Sequence, residues 1–147
     1  MAYTNVSSVY RETKIKTASQ GQLIVMLYDE AVKQLDHSLE LMGPKQDSKL
    51  EPGKIEAIGK GILKTQEIIT ELMVSLDFEQ GGEIAKNLFS LYTWFNQELL
   101  ESNITHDNRR VLIVRNLLAD LRGAWVDIAK NAGEVKNRPA MGINIAG

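Results

Sequence analysis

The stretch "TASQGQLIVMLYDEAVKQL", from Thr17 to Leu35, decides the fold. Ser19 offers a side-chain oxygen to the first free amides of a helix, and Gln22 sits three residues on as the reciprocal partner. Apolar residues begin to recur at Leu23, so a helix starts here. Its pattern carries to about Met42, where Gly43-Pro44 supplies a left-handed end residue and a breaker. On a helical wheel Leu23, Leu27, Ala31 and Leu35 make one stripe, while Ile24, Tyr28, Val25 and Val32 fall on other sides. A bundle helix buries one stripe. The surplus calls for a cover, which is the N-terminal arm, a second subunit or a partner segment in a groove, unless this helix is simply central and wide-faced.

Three further helical patterns follow. From Lys54, the residues Ile55, Ile58, Ile62, Ile69, Leu72 and Leu76 line one side of a helix of roughly 24 residues, about 36 Å long. Gly59 and Gly61 inside it each cost about 1 kcal/mol relative to Ala, and so mark either the close approach of another helix or a soft turn. After "LDFEQGG", with a turn expected at Gly81-Gly82, a third stripe reads Ile84, Leu88, Leu91, Phe95, Leu99, flanked by Ala85, Phe89 and Tyr92. Asp107 in "SNITHDN" is the expected cap of the fourth pattern: Val111, Val114, Leu118, Leu121, Trp125, Ile128. Trp125 continues that stripe and reads as core, whereas Trp94 lies one position off its own stripe and reads as exposed.

Short loops and no strand-like alternation predict an all-α, antiparallel up-down four-helix bundle. It forms a single domain over residues 1–132, with residues 1–16 as a mobile N-terminal arm and the Gly-rich residues 133–147 as a disordered tail. The arm is polar, and its Tyr10 and Ile15 are spaced to touch an apolar groove without anchoring firmly, which is the composition of a displaceable lid.

Composition removes several classes of function. The 147 residues are 44% hydrophobic and 24% charged, values of a soluble globular protein, and the longest apolar run, Leu23 to Tyr28, cannot span a bilayer. The start has no basic segment followed by an apolar block, so no signal or transit peptide is visible and the cytoplasm is the expected location. There are no cysteines, which excludes disulfides, thiolate metal sites and a Cys nucleophile. A net charge of -2, with Lys and Arg interleaved among acids, gives no footprint for nucleic acid.

Catalytic, cofactor and metal sites are also unsupported. A dinuclear metal bundle needs Glu-x-x-His pairs, and the residues three before His37 and His106 are Gln34 and Asn103. A phosphotransfer role for His37 is opposed by Glu40, a like charge to the phosphate, so a solvated surface histidine is the better reading. The carboxylates Asp29, Glu30, Glu79, Glu83 and Glu98 fit a solvated helix face, and "EQGGEIA" lacks the lysine and the strand of a phosphate loop.

The stretches "IKTASQGQLIVMLYDEA", "IITELMVSLDFEQGGEIAKNL", "LYTWF" and "LLADLRGAW" occur in the order and spacing of a known family. From about Tyr10 to Ile128 the chain resembles the flagellar secretion chaperones of the FliS family. It departs from the family pattern at Gln20, where Pro is usual, and at Glu30, where Gly is frequent. Losing the Pro leaves the cap intact. The resemblance implies a non-enzymatic chaperone that binds the disordered C-terminal segment of flagellin in the cytoplasm, prevents early polymerisation and aids delivery to the export apparatus. It also implies further flagellar export or regulatory proteins as partners, and homodimers in which the arm is a natural exchange element. A self-associating adaptor or signalling bundle is the alternative. On this reading Tyr10 and Ile15 are lid residues, Leu23, Ile24, Leu27 and Tyr28 form the groove floor, and Leu88 and Tyr92 extend the partner contact.

Overall fold

The computed structural model describes residues 20–44 and 50–134, the last four by backbone alone. Four helices follow one another: α1 (Gln20–Met42), α2 (Pro52–Val74), α3 (Phe78–Thr105) and α4 (Asn108–Glu134). They close a ring in which α1 packs between α2 and α4, and α3 packs between the same two on the far side. The antiparallel register of α1 and α4 is visible in three ties. Arg122 pairs with Asp29, Arg115 Nε lies 2.7 Å from Asp36 Oδ1, and Asn108 Nδ2 donates to the Gly43 carbonyl at 3.0 Å. Each tie is a heptad from the next on both helices, the spacing at which one face keeps meeting its neighbour. The Arg–Asp pairs are partly solvated and worth at most about 1 kcal/mol each, so they set register more than stability.

The helix ends follow local chemistry. α1 stops at Gly43, whose φ of 78° is cheap only for glycine, and its amide donates to the Leu39 carbonyl at 3.0 Å. α2 begins two residues before the expected Lys54, because Pro52 at its first position has its φ preset and no amide to satisfy. Asp107 accepts from the Arg109 amide as the cap of α4, as its sequence predicts. The Ser19 cap lies outside the described residues.

The expected turn at Gly81-Gly82 is corrected to a kink. Asp77 accepts from the amides of Glu79 and Gln80, starting α3 at Phe78, and Gly82 at φ 51° bends the helix instead of ending it. The stripe on α3 is corrected with it. Ala85, Leu88, Tyr92, Phe95 and Leu99 face the core, Leu91 is half-buried and Ile84 is exposed. The two sets share three members, and the helix is rotated toward Tyr92, whose phenol finds Tyr28. On α2, Ile58, Ile62, Ile69 and Leu72 are buried as expected, whereas Ile55 is exposed and Leu76 falls beyond the helix end. On α4, Val111, Val114, Leu118 and Trp125 are core.

The two readings of the α2 glycines resolve at Gly61. A Cβ there would collide with Ser38 Oγ and stand 3.2 Å from the Gln34 carbonyl, while Ser38 Oγ donates across to the Ile58 carbonyl at 3.1 Å. This is a close helix crossing. Gly61→Ala is therefore expected to lower stability by about 1–3 kcal/mol despite a propensity gain of about 1 kcal/mol. Gly123→Ala, on an exposed helical position with open space, is expected to raise it by about 0.5–1 kcal/mol. Thermal melts of the two variants should move in opposite directions.

Candidate functional site

The residues assigned to a groove floor, and Leu88 and Tyr92 assigned to its extension, are placed mostly inside the bundle. Leu23, Ile24, Tyr28, Leu88 and Tyr92 are all buried, and Leu27 is half-buried. Tyr10 and Ile15 lie outside the described residues. Tyr28 and Tyr92 are tied to each other, their hydroxyls 2.5 Å apart across the bundle between α1 and α3, and Trp125 from α4 is buried in the same core. This polar contact joins α1 and α3 at the centre of an apolar core. It holds the fold together, and no partner touches it while the bundle is closed.

Burial pushes the Tyr28 phenol up to about 12 against the pull of its hydrogen bonds to Tyr92 and Trp125, and burial beside Tyr28 raises Tyr92 further still. Folded Tyr28 keeps its proton where an unfolded chain gives it up near pH 10. Stability is therefore complete below pH 10 and falls as pH rises from 10 toward 12. Urea melts across this range should show the loss, and Tyr28→Phe should make it shallower without abolishing it, because buried Tyr92 still holds its proton where the unfolded chain releases it.

The surplus apolar residues of α1 have two destinations. Part of the surplus is absorbed because α1 is central, flanked by α2 and α4. The rest opens on the seam with α4. At the N-terminal end of α1, Val25 and Met26 meet Val126 and Ala129 in a depression of about 380 Å³ rimmed by Gln22 and Lys130. At the other end, Leu39, Gly43, Pro44 and Leu112 line one of about 510 Å³ with Asp36, Glu40, Asn108 and Arg109 around it. The Asp29–Arg122 and Asp36–Arg115 pairs lie along the same seam. An apolar trough interrupted by charged ties suits an amphipathic segment that places apolar side chains every few turns. Val25 and Met26 belong to the surplus set yet escape a stripe-based assignment, because their side of the helix becomes a groove only when α4 is packed against it.

Elsewhere the chemistry is sparse. His37 is exposed on α1 among Lys33, Gln34, Asp36 and Glu40, and Trp94 is exposed, as expected from its position. Among the described residues no cluster of three His, Cys, Asp or Glu side chains is placed to hold a metal ion. No described helix is long and apolar enough to cross a membrane.

Comparison with known proteins is consistent across the chain. The family described as "Flagellar protein FliS" matches residues 2–132. The flagellar secretion chaperone FliS of Salmonella typhimurium is 35% identical over 138 residues, covering 93% of this chain and 94% of that one. The Escherichia coli K12 protein of the same name is 33% identical over 114 residues, covering 78% and 79%. The Bacillus subtilis protein is 26% identical over 125 residues, covering 85% and 86%.

Proposed function

The chain belongs to the FliS family of flagellar secretion chaperones, a non-enzymatic family, and from that premise we propose that its cargo is the C-terminal segment of a flagellin, held in the cytoplasm until export. The apolar trough between α1 and α4 carries this reading. A filament subunit's assembly segment stays unfolded until it can bury its apolar side chains, and a trough lined by Val25, Met26, Val126 and Ala129 substitutes for the missing subunits. Ordering the segment consumes part of the interface energy, which leaves a specific complex that still releases its cargo.

The arm is long enough to reach the same trough. Ile15 lies five residues before Gln20, a reach of roughly 17 Å when extended, so the lid role of Tyr10 and Ile15 requires no rearrangement of the bundle. Half-buried Leu27 is the member of the expected groove floor that cargo can reach, while Leu23, Ile24, Tyr28, Leu88 and Tyr92 are buried in the bundle.

The test is a calorimetric titration with a peptide of the flagellin C-terminal segment, followed by far-UV circular dichroism. Binding at one to one, a negative heat-capacity change and added helicity support the reading. Absence of both heat and added helix turns the assignment to another export substrate.

A further inference from the structure

A second apolar strip runs along the seam between α3 and α4, on the opposite side of α4 from the trough. On α3, Ile84, Leu91 and Trp94 fall on the side from which Glu98 reaches Arg110 of α4 at 2.7 Å. That ion pair sets the antiparallel register, which brings Leu117 of α4 level with Leu91, Leu121 level with Asn87 and Ile128 level with the start of α3. Ile84 is 37% and Trp94 38% exposed, while Leu91, Leu117, Leu121 and Ile128 are half-buried at the edge of the core. Of the four adjacent helix pairs, α3 and α4 pack most loosely, which leaves the strip open along about 15 Å from Ile84 to Trp94. Arg115 and Arg122 do not interrupt it, because both turn to α1.

The strip has a charged end. Where α3 begins and α4 finishes, Glu79, Glu83 and Asp127 are exposed. Lys86 pairs with Glu83 at 3.9 Å, and Lys130 rims the other seam. The chain leaves α4 at this same end, after Glu134. The family match closes at residue 132 and assigns nothing to the segment beyond. That segment, "VKNRPAMGINIAG" from Val135 to Gly147, is basic first and apolar after: Lys136 and Arg138 precede Met141, Ile143 and Ile145.

We infer that residues 135–147 fold back along the α3–α4 strip and cover it. The order of the residues matches the order of the surface, since Lys136 and Arg138 come first to the acidic end and the apolar side chains pass beyond it to the strip. In an extended chain Met141, Ile143 and Ile145 share one side and span roughly 13 Å, close to the length of the strip. The reach is sufficient. Ile128 lies six residues back from Glu134, about 9 Å along α4, and residues 135–140 extend to roughly 20 Å, which leaves room for a reversal at Asn137–Pro139. Three apolar anchors bind weakly as a free peptide, but a short tether holds them at an effective concentration on the order of millimolar, so the contact forms within one chain ahead of outside competitors. This cover stays in place whether the α1–α4 trough is filled or empty.

The chain has no cysteine, so Asn144→Cys gives a single site for a nitroxide label on the full chain. In nuclear magnetic resonance spectra, the amide signals of residues 84–94 and 117–128 are expected to lose at least half of their intensity relative to the reduced label, with residues 63–74 and Val25 and Met26 unaffected. Ile143→Asp combined with Ile145→Asp, outside the bundle core, should restore the lost signals. Four results overturn the inference: no localised loss, which leaves the segment free; loss centred on Val25 and Met26, which puts it in the trough; loss that survives the double substitution, which removes the apolar anchors from the contact; and loss on a label-free chain mixed with a nitroxide-bearing one, which places the contact between copies.

Discussion

Tyr28→Glu is expected to leave no folded bundle at room temperature. Tyr28 is fully buried, and its hydroxyl meets that of Tyr92 across the bundle. Losing the ring costs about 3–5 kcal/mol as a large-to-small change, and an unpaired buried carboxylate adds several more. A domain of this size has about 5–15 kcal/mol in total, so the sum consumes most or all of it. Far-UV circular dichroism should show the helices gone. The milder Tyr28→Phe leaves the Tyr92 hydroxyl without that partner, at about 1–3 kcal/mol, and should lower the melting temperature by about 4–10 °C. A cooperative, near-native melt for Tyr28→Glu would mean that the side chain reaches water, and would return Tyr28 to the groove.

The second large effect is on binding. Val25→Glu combined with Met26→Glu is expected to weaken cargo affinity at least 100-fold while the bundle stays folded. Both side chains are half-buried in the seam with α4, so the substitutions add charge at its rim and spare the core. Each large apolar side chain covered by cargo contributes about 1.5–3 kcal/mol, and a carboxylate in its place must also be desolvated. Two such losses exceed the roughly 2.7 kcal/mol that corresponds to 100-fold. Titration of a folded double variant with the flagellin peptide reads this directly, and unchanged affinity would be falsifying for the trough as the cargo site. Leu27→Glu, at a half-buried position beside them, should show the same loss at smaller size.

The contrast between these variants marks where the sequence stops being informative. Helix number, order and most boundaries follow from the chain itself. The stripes repeat at three and four, and Gly43, Pro52 and Asp107 act through their own backbone and cap chemistry whatever surrounds them. The composition likewise removes thiol chemistry and polyphosphate binding without reference to a fold. The surplus of apolar residues between Leu23 and Tyr28 is also legible as a sign that α1 meets more than one neighbour.

Which members of that surplus face inward is decided only when the helices are assembled. Tyr28 and Tyr92 lie 64 residues apart, and nothing local to either says that their hydroxyls meet. That contact selects the rotation of α3 and sends Ile84 outward. Gly82 could end a helix or bend one, and the Asp77 cap with continued packing beyond it makes it a bend. Val25 and Met26 become a groove because α4 runs beside them in heptad register. Periodicity determines that a residue belongs to a helix and has a preferred side. Whether that side meets core, groove or water depends on the neighbouring helices, and those are placed by contacts far apart in the chain.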